Sequence, residues 1–128
     1  MSRHVEKAME LRNATPMTTN CAQTIMSCYA EELGLTQEQA CALGCNFGGG
    51  MKCGETCGAI TSALMVLGAK GVVDPATLGS FRRAIAEKHG GLTNCAELLR
   101  ANAERGGEKK AHCDGMIKEA IELIDEIC

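Results

Sequence analysis

An all-α fold, a single domain of five to seven helices with a glycine-rich loop near 47–55, is what this chain of 128 residues predicts. Three observations carry that prediction. Apolar residues recur at spacings of three and four through most of the chain, the period of a helix with one buried face. Gly, Pro and Asn fall between the periodic stretches, where helices start and stop. No stretch alternates apolar and polar residues with the period of two that a half-buried strand requires. The length is that of one ordinary domain, 1–128, and no segment is long or polar enough to be a linker to a second.

The elements follow in order. A first helix covers roughly 3–13 and breaks near Pro16. A second runs over 20–34, with Ala22, Ile25, Met26, Tyr29 and Leu33 at helical spacing, and stops at Gly34. Thr36 with Gln39 forms a capping-box signature for a third, 37–46. The stretch FGGGMKCGE, 47–55, is too rich in glycine to be regular. A helix over 56–69 comes next, ended by GAKG. Asp74-Pro75 opens another, with Pro in the first turn, and Gly90-Gly91 closes it after Lys88. Asn94 with Glu97 opens a helix to 105, closed by Gly106-Gly107. The last helix, 108–127, carries Cys113, Met116, Ile117, Ala120, Ile121, Ile124 and Ile127 on one stripe.

Composition narrows the function. The net charge of −3 and the absence of any basic run exclude a nucleic-acid footprint. The N-terminus, MSRHVEKAMELRNA, has no apolar core of a secretory signal. The most apolar stretch, AITSALMVLGA over 59–69, is shorter than the roughly 20 residues that span a bilayer. The expectation is a cytoplasmic protein without membrane insertion. With no Trp, one Tyr and two Phe, the core must be aliphatic.

Nine cysteines are the outlier. In a reducing compartment structural disulfides seldom persist, so redox or metal chemistry is the sharper expectation, against the packing of Cys as a small apolar residue. No pair has C-x-x-C spacing, which argues against a thioredoxin-like motif, a zinc ribbon or a ferredoxin run. Cys41/Cys45 and Cys53/Cys57 are four apart, on one face if helical.

Two cysteines sit in an echoed context, TNCAQ at 19–23 and TNCAE at 93–97. Asn is a good N-cap, and Gln or Glu three residues on can close the box. Cys21 and Cys95 then occupy first helical positions, and Thr56 before Cys57 repeats the arrangement. A thiol there faces free N–H groups and the positive end of the helix dipole, which favours thiolate. Reactive cysteines are therefore expected at 21, 57 and 95. The loop carries no G-x-x-x-x-G-K-[ST] and follows no strand, so it is not a nucleotide cradle. Its Cys53 is expected to be exposed. Cys28, Cys41 and Cys45 are read as core and Cys128 as exposed; the alternative for Cys28, seven residues beyond Cys21 on the same face, is to line the same cavity. His4 is read as solvated, His89 as a helix-end cation, His112 as a neighbour of Cys113 awkwardly turned for joint ligation, and Glu55 as a local base for Cys57.

NCAQ at 20–23, GGGM at 48–51, Cys57-Gly58-Ala59, Cys95 after HGG, and Cys113 opening an apolar last helix together resemble the C_GCAxxG_C_C family of redox-active proteins over nearly the whole chain. The resemblance implies four functional cysteines, Cys21, Cys57, Cys95 and Cys113. The motif departs at its end, reading CGAITS, with Ser62 where the family has Gly. A redox role by thiol/disulfide exchange or electron transfer is implied, without a substrate; a redox partner protein or a small-molecule thiol or disulfide would be the counterpart. The alternative makes the same four thiolates ligands of Zn, an iron–sulfur cluster or a haem-type centre. Cys53 and Gly58 are the residues expected beside any bound group; the thiol reading requires no cofactor. A third reading is a non-catalytic helical interaction module, with the last stripe compatible with a homodimer. Whether the chain is an enzyme stays open at this level.

Overall fold

The computed structural model describes residues 3–128. Seven α-helices succeed one another among them: α1 (Arg3–Arg12), α2 (Cys21–Tyr29), α3 (Gln37–Gly44), α4 (Gly58–Ala69), α5 (Pro75–Glu87), α6 (Cys95–Glu104) and α7 (Lys109–Ile127). Between α3 and α4 lie a 3-10 turn at Cys45–Phe47 and a tight irregular turn at Gly50–Gly54. No strand occurs among the described residues; a single antiparallel bridge joins Thr56 to Asn94.

The helices begin where local chemistry tells them to. Asn20 caps α2 from its side chain to the Gln23 amide, and Gln23 returns a bond from its Oε1 to the Asn20 amide. Thr36 and Gln39 do the same for α3. The Asp74 carboxylate accepts the Thr77 amide with Pro75 at the first helical position of α5. Two expected caps are not made. Asn94 starts α6 without a side-chain bond, and Cys57, not Thr56, is the N-cap of α4. Here the bridge between the two chain segments fixes the helix starts instead: Cys57 donates its amide to the Thr93 carbonyl, and Cys95 donates its own to Glu55. The second helix is also shorter than its apolar spacing suggested. It ends at Tyr29, and residues 30–34 continue as turns, closed by Leu35 N–H to the Ala30 carbonyl around Gly34.

All seven helices contribute to one aliphatic core. The central α2 packs on α1, α3, α4 and α7, and α7 in turn on α1, α4, α5 and α6. The stripe on α7 is buried by its own chain: Met116, Ile117, Ala120, Ile121 and Ile124 are all core residues. The apolar face that suggested a homodimer is therefore used within the monomer. Among the described residues, no buried side-chain nitrogen or oxygen lacks a partner, and no helix is long and apolar enough to cross a membrane.

One close approach fixes how the chain enters α4. A Cβ on Gly58 would lie 2.7 Å from the Phe47 carbonyl oxygen, so only glycine lets the 3-10 turn lie against the start of that helix. Four residues on, Ser62 is fully buried and donates its hydroxyl to the Gly58 carbonyl at 2.7 Å. The helix itself satisfies that hydroxyl, and the departure from glycine is absorbed.

Candidate functional site: a four-cysteine cavity

A cavity of about 410 Å³ opens where the starts of α2, α4 and α6 meet the first turns of α7. Cys21, Cys57, Cys95 and Cys113 all line it, together with Gly58. Cys21 and Cys95 are the first residues of their helices, Cys57 is the N-cap of α4, and Cys113 is in the second turn of α7. Residues 92 positions apart in the chain are thus brought to one chamber by the ends of four helices. All nine cysteines are free thiols.

The proton is not shared equally among them. The thiol of Cys21, facing Cys113 in the same cavity, is the largest influence favouring thiolate on Cys113. Burial opposes it; the charges of Arg12 and Lys109 reinforce it, and Cys113 is brought down to about 7. Cys21 is driven far up by the same interaction and then by burial. Cys57 is pushed up to about 11 by burial, although the amides of Ala59 and Ile60 at the start of α4 pull against it. Cys95 is raised by burial and by the facing charge on Cys113, with Lys109 opposing. The expectation that helix starts make thiolates of Cys21, Cys57 and Cys95 is corrected on this point: the interaction with Cys113 raises Cys21 first and burial second, and desolvation of the sulfur prevails at Cys57 and Cys95. The low thiol is Cys113, which has no capping position but has two cations and the Cys21 thiol.

Sequence reasoning missed Arg12. It is buried, lines the cavity from α1, and donates Nε to Asp114 at 2.6 Å and Nη1 to the Thr19 carbonyl at 2.8 Å. Its only signal in the sequence was a basic residue in the last turn of a short helix, which is an ordinary feature. Lys109, at the start of α7, also lines the cavity and went unremarked.

The remaining cysteines lie elsewhere. Cys53 is exposed, as expected, but it does not line the cavity; its thiol points back to the Gly50 carbonyl at 3.5 Å. Cys28 is buried at the far end of α2, in a separate hollow with His4 and Lys7. Seven residues along a helix is a displacement of about 10 Å, so a shared face does not mean a shared cavity. Cys41 is half-buried beside the Ser27 hydroxyl at 3.5 Å, whereas Cys45 is exposed rather than core. Cys128 is exposed. His4 is not solvated: it bridges Glu32 and Asp125 and stacks on Tyr29 at 4.0 Å. His89 pairs with Glu119 at 2.7 Å, and the half-buried His112 lines the cavity with its ring edge-on to His89. Glu55 serves the site through its backbone carbonyl; its carboxylate is exposed.

A single zinc ion requires at least three protein ligands around it. Among the described residues, no three His, Cys, Asp or Glu side chains are placed to share one. The four thiols line one cavity, but as arranged they do not gather three donors on a zinc ion.

Neither the curated proteins nor the solved structures yield a match to this chain. A family model described as "Putative redox-active protein (C_GCAxxG_C_C)" matches residues 19–127, a span that contains all four cavity cysteines and leaves α1 outside it. With the match covering most of its length, the chain belongs to the C_GCAxxG_C_C family of redox-active proteins.

Proposed function

We propose that the cavity is a thiol–disulfide exchange site in which Cys113 attacks and Cys21 resolves. The observation that carries this reading is the convergence of Cys21 and Cys113 on one cavity, where their interaction lowers Cys113 and raises Cys21. The Cys113 thiolate attacks one sulfur of a disulfide. A Cys113–substrate disulfide forms and the other half of the substrate leaves as a thiolate. Charge has then left Cys113, so the largest influence that kept Cys21 protonated is gone, and burial is the main one left. Cys21 loses its proton and attacks the Cys113 sulfur; the second half of the substrate departs, and a Cys21–Cys113 disulfide remains. Two electrons have moved from the Cys21 thiol and Cys113 thiolate to the substrate, whose halves leave as one thiolate and one thiol, the latter carrying the proton that Cys21 gave up. The reverse sequence, driven by a small molecule carrying thiols, restores the dithiol.

Cys57 and Cys95, raised by burial, sit beside this pair as protonated thiols at neutral pH and provide the alternative partners for a disulfide. A cavity with four sulfurs favours exchange over a module whose cysteines are merely packed. A reducing compartment such as the cytoplasm would keep the pair in its reduced form.

The test is to oxidise the protein with one equivalent of a small disulfide and map the product by peptide mass spectrometry. The expected result is loss of two thiols, a Cys21–Cys113 link, and full reversal by dithiothreitol. Thiol loss confined to Cys45, Cys53 and Cys128, with Cys113 untouched, would overturn the proposal.

A further inference from the structure

Resting on that reading, we infer that the compound exchanged is a small, negatively charged disulfide, its sulfurs flanked by short alkyl arms that end in carboxylates. The size follows from enclosure. The sulfurs lie within a concavity of about 410 Å³, in the range of small-molecule pockets. A disulfide fixed on a folded protein surface is not free to enter such a space.

The sign follows from the lining. Arg12 and Lys109 are its charged side chains, and no Asp or Glu lines it among the described residues. Arg12 is already engaged by Asp114 and the Thr19 carbonyl. Lys109 has no carboxylate partner among the described ion pairs and is exposed at the start of α7. It is the cation left to meet a ligand, and the starts of α2, α4 and α6 add their positive ends to the same space. The apolar part of the lining, Leu98, Leu99 and Met116, suits methylene arms. Such a ligand would place its sulfur on Cys113 and one carboxylate on the Lys109 ammonium.

Three disulfides of nearly equal size isolate the charge: 3,3′-dithiodipropionate with two carboxylates, 2-hydroxyethyl disulfide with none, and cystamine with two ammonium groups. Single-turnover oxidation of the fully reduced protein needs no added reductant, since the dithiol supplies both electrons. It is followed by the appearance of the Cys21–Cys113 link at low salt and at pH 8, where Cys113 is mostly ionised and cystamine keeps its ammonium groups. A bare thiolate attracts cystamine and repels the dianion. The expected order here is the reverse, with the dianion at least about tenfold faster than cystamine. In Lys109→Gln that ratio narrows threefold or more; a ratio cancels any general loss of reactivity, and Lys109 is exposed, so folding is spared. Equal rates, or cystamine fastest, would overturn the inference and leave the exchange site standing. Formation of the link with none of the three would remove the exchange reading and this inference with it.

Discussion

Cys113 and Arg12 are 101 residues apart in sequence, yet their electrostatic coupling helps decide which thiol in the cavity is ionised. The guanidinium is buried and hydrogen-bonded on two sides, so its charge is fixed in place beside the sulfur. A fixed cation in a poorly solvated site acts more strongly than one that can swing into water. Alkylation of Cys113 by iodoacetamide should therefore rise about tenfold per pH unit at low pH and level off above about 7. In Arg12→Gln the plateau should move to higher pH, slowing alkylation at pH 6.5 by about three- to tenfold and leaving the rate at pH 9.5 unchanged. Mass-resolved alkylation of the Cys113 peptide measures both; an unmoved plateau would mean that Arg12 is structural only. Cys21, Cys57 and Cys95 were legible in the sequence, because an Asn before Cys21 and Cys95 and the CGA around Cys57 are local patterns; Cys113 entered only through the resemblance to the family. Which of the four carries the charge was not legible. That depends on how deeply each sulfur is buried and on a cation from a helix with no sequence link to it.

The turn at Gly50–Gly54 brings the loop against α6, whose first residue, Cys95, lines the cavity. Met51 and Lys52 both hold left-handed backbone, at φ 59° and 61°, a conformation that costs a residue with a Cβ roughly 1–2 kcal/mol. Contacts hold it there. A Cβ on Gly50 would meet the Glu55 carbonyl oxygen at 2.3 Å and the Cys95 Cβ at 2.8 Å. Those two atoms belong to the residues whose pairing starts α6. Gly50→Ala should thus lower stability by about 2 kcal/mol or more and raise the accessibility of Cys95, since both clash and backbone strain act. Lys52→Gly should instead raise stability, by up to about 1 kcal/mol, as relief of strain exceeds the added freedom of the unfolded chain. Urea unfolding of the two variants distinguishes these signs. The glycines announced an irregular loop in the sequence, but not its register, because a run of left-handed residues is dictated by the α6 segment it must reach. The same limit applies to the helices. Their existence was readable from the 3.6-residue period, whereas the early end of α2 was not, because Leu33 keeps helical spacing while sitting in a turn.

On the scale of the whole molecule, α1 lies outside the family match yet is tied to the rest by two charged networks. At one end His4 meets Glu32 and Asp125, and Lys70 joins Glu32 at 2.7 Å. At the other, Arg12 and Lys110 share Asp114. The Lys70 hydrogen bond, with His4 behind it, holds the Glu32 carboxyl below its ordinary 4.5. Burial would push Asp114 up, but the hydrogen bonds from Lys110 and Arg12 outweigh it and keep the carboxyl below 3.8. Both groups therefore bind protons more weakly in the folded chain than in the unfolded one. Their contribution is fully present above about 4.5 and is lost as the pH falls through their folded values. Urea midpoints should stay level from pH 7 to about 5 and drop steeply below about 4. The double variant Glu32→Gln, Asp114→Asn should be less stable at pH 7, because Arg12 is left buried without its carboxylate, and should show a shallower fall with acid. Parallel curves for the two proteins would mean that other carboxylates govern the acid limit. The consequence reaches the cavity: the double variant frees the Arg12 guanidinium from its competing anion, so as long as it stays folded its Cys113 should titrate lower than in the parent chain. A stability network and a thiol thus share one charge, and the alkylation profile of the folded variant reads that sharing directly.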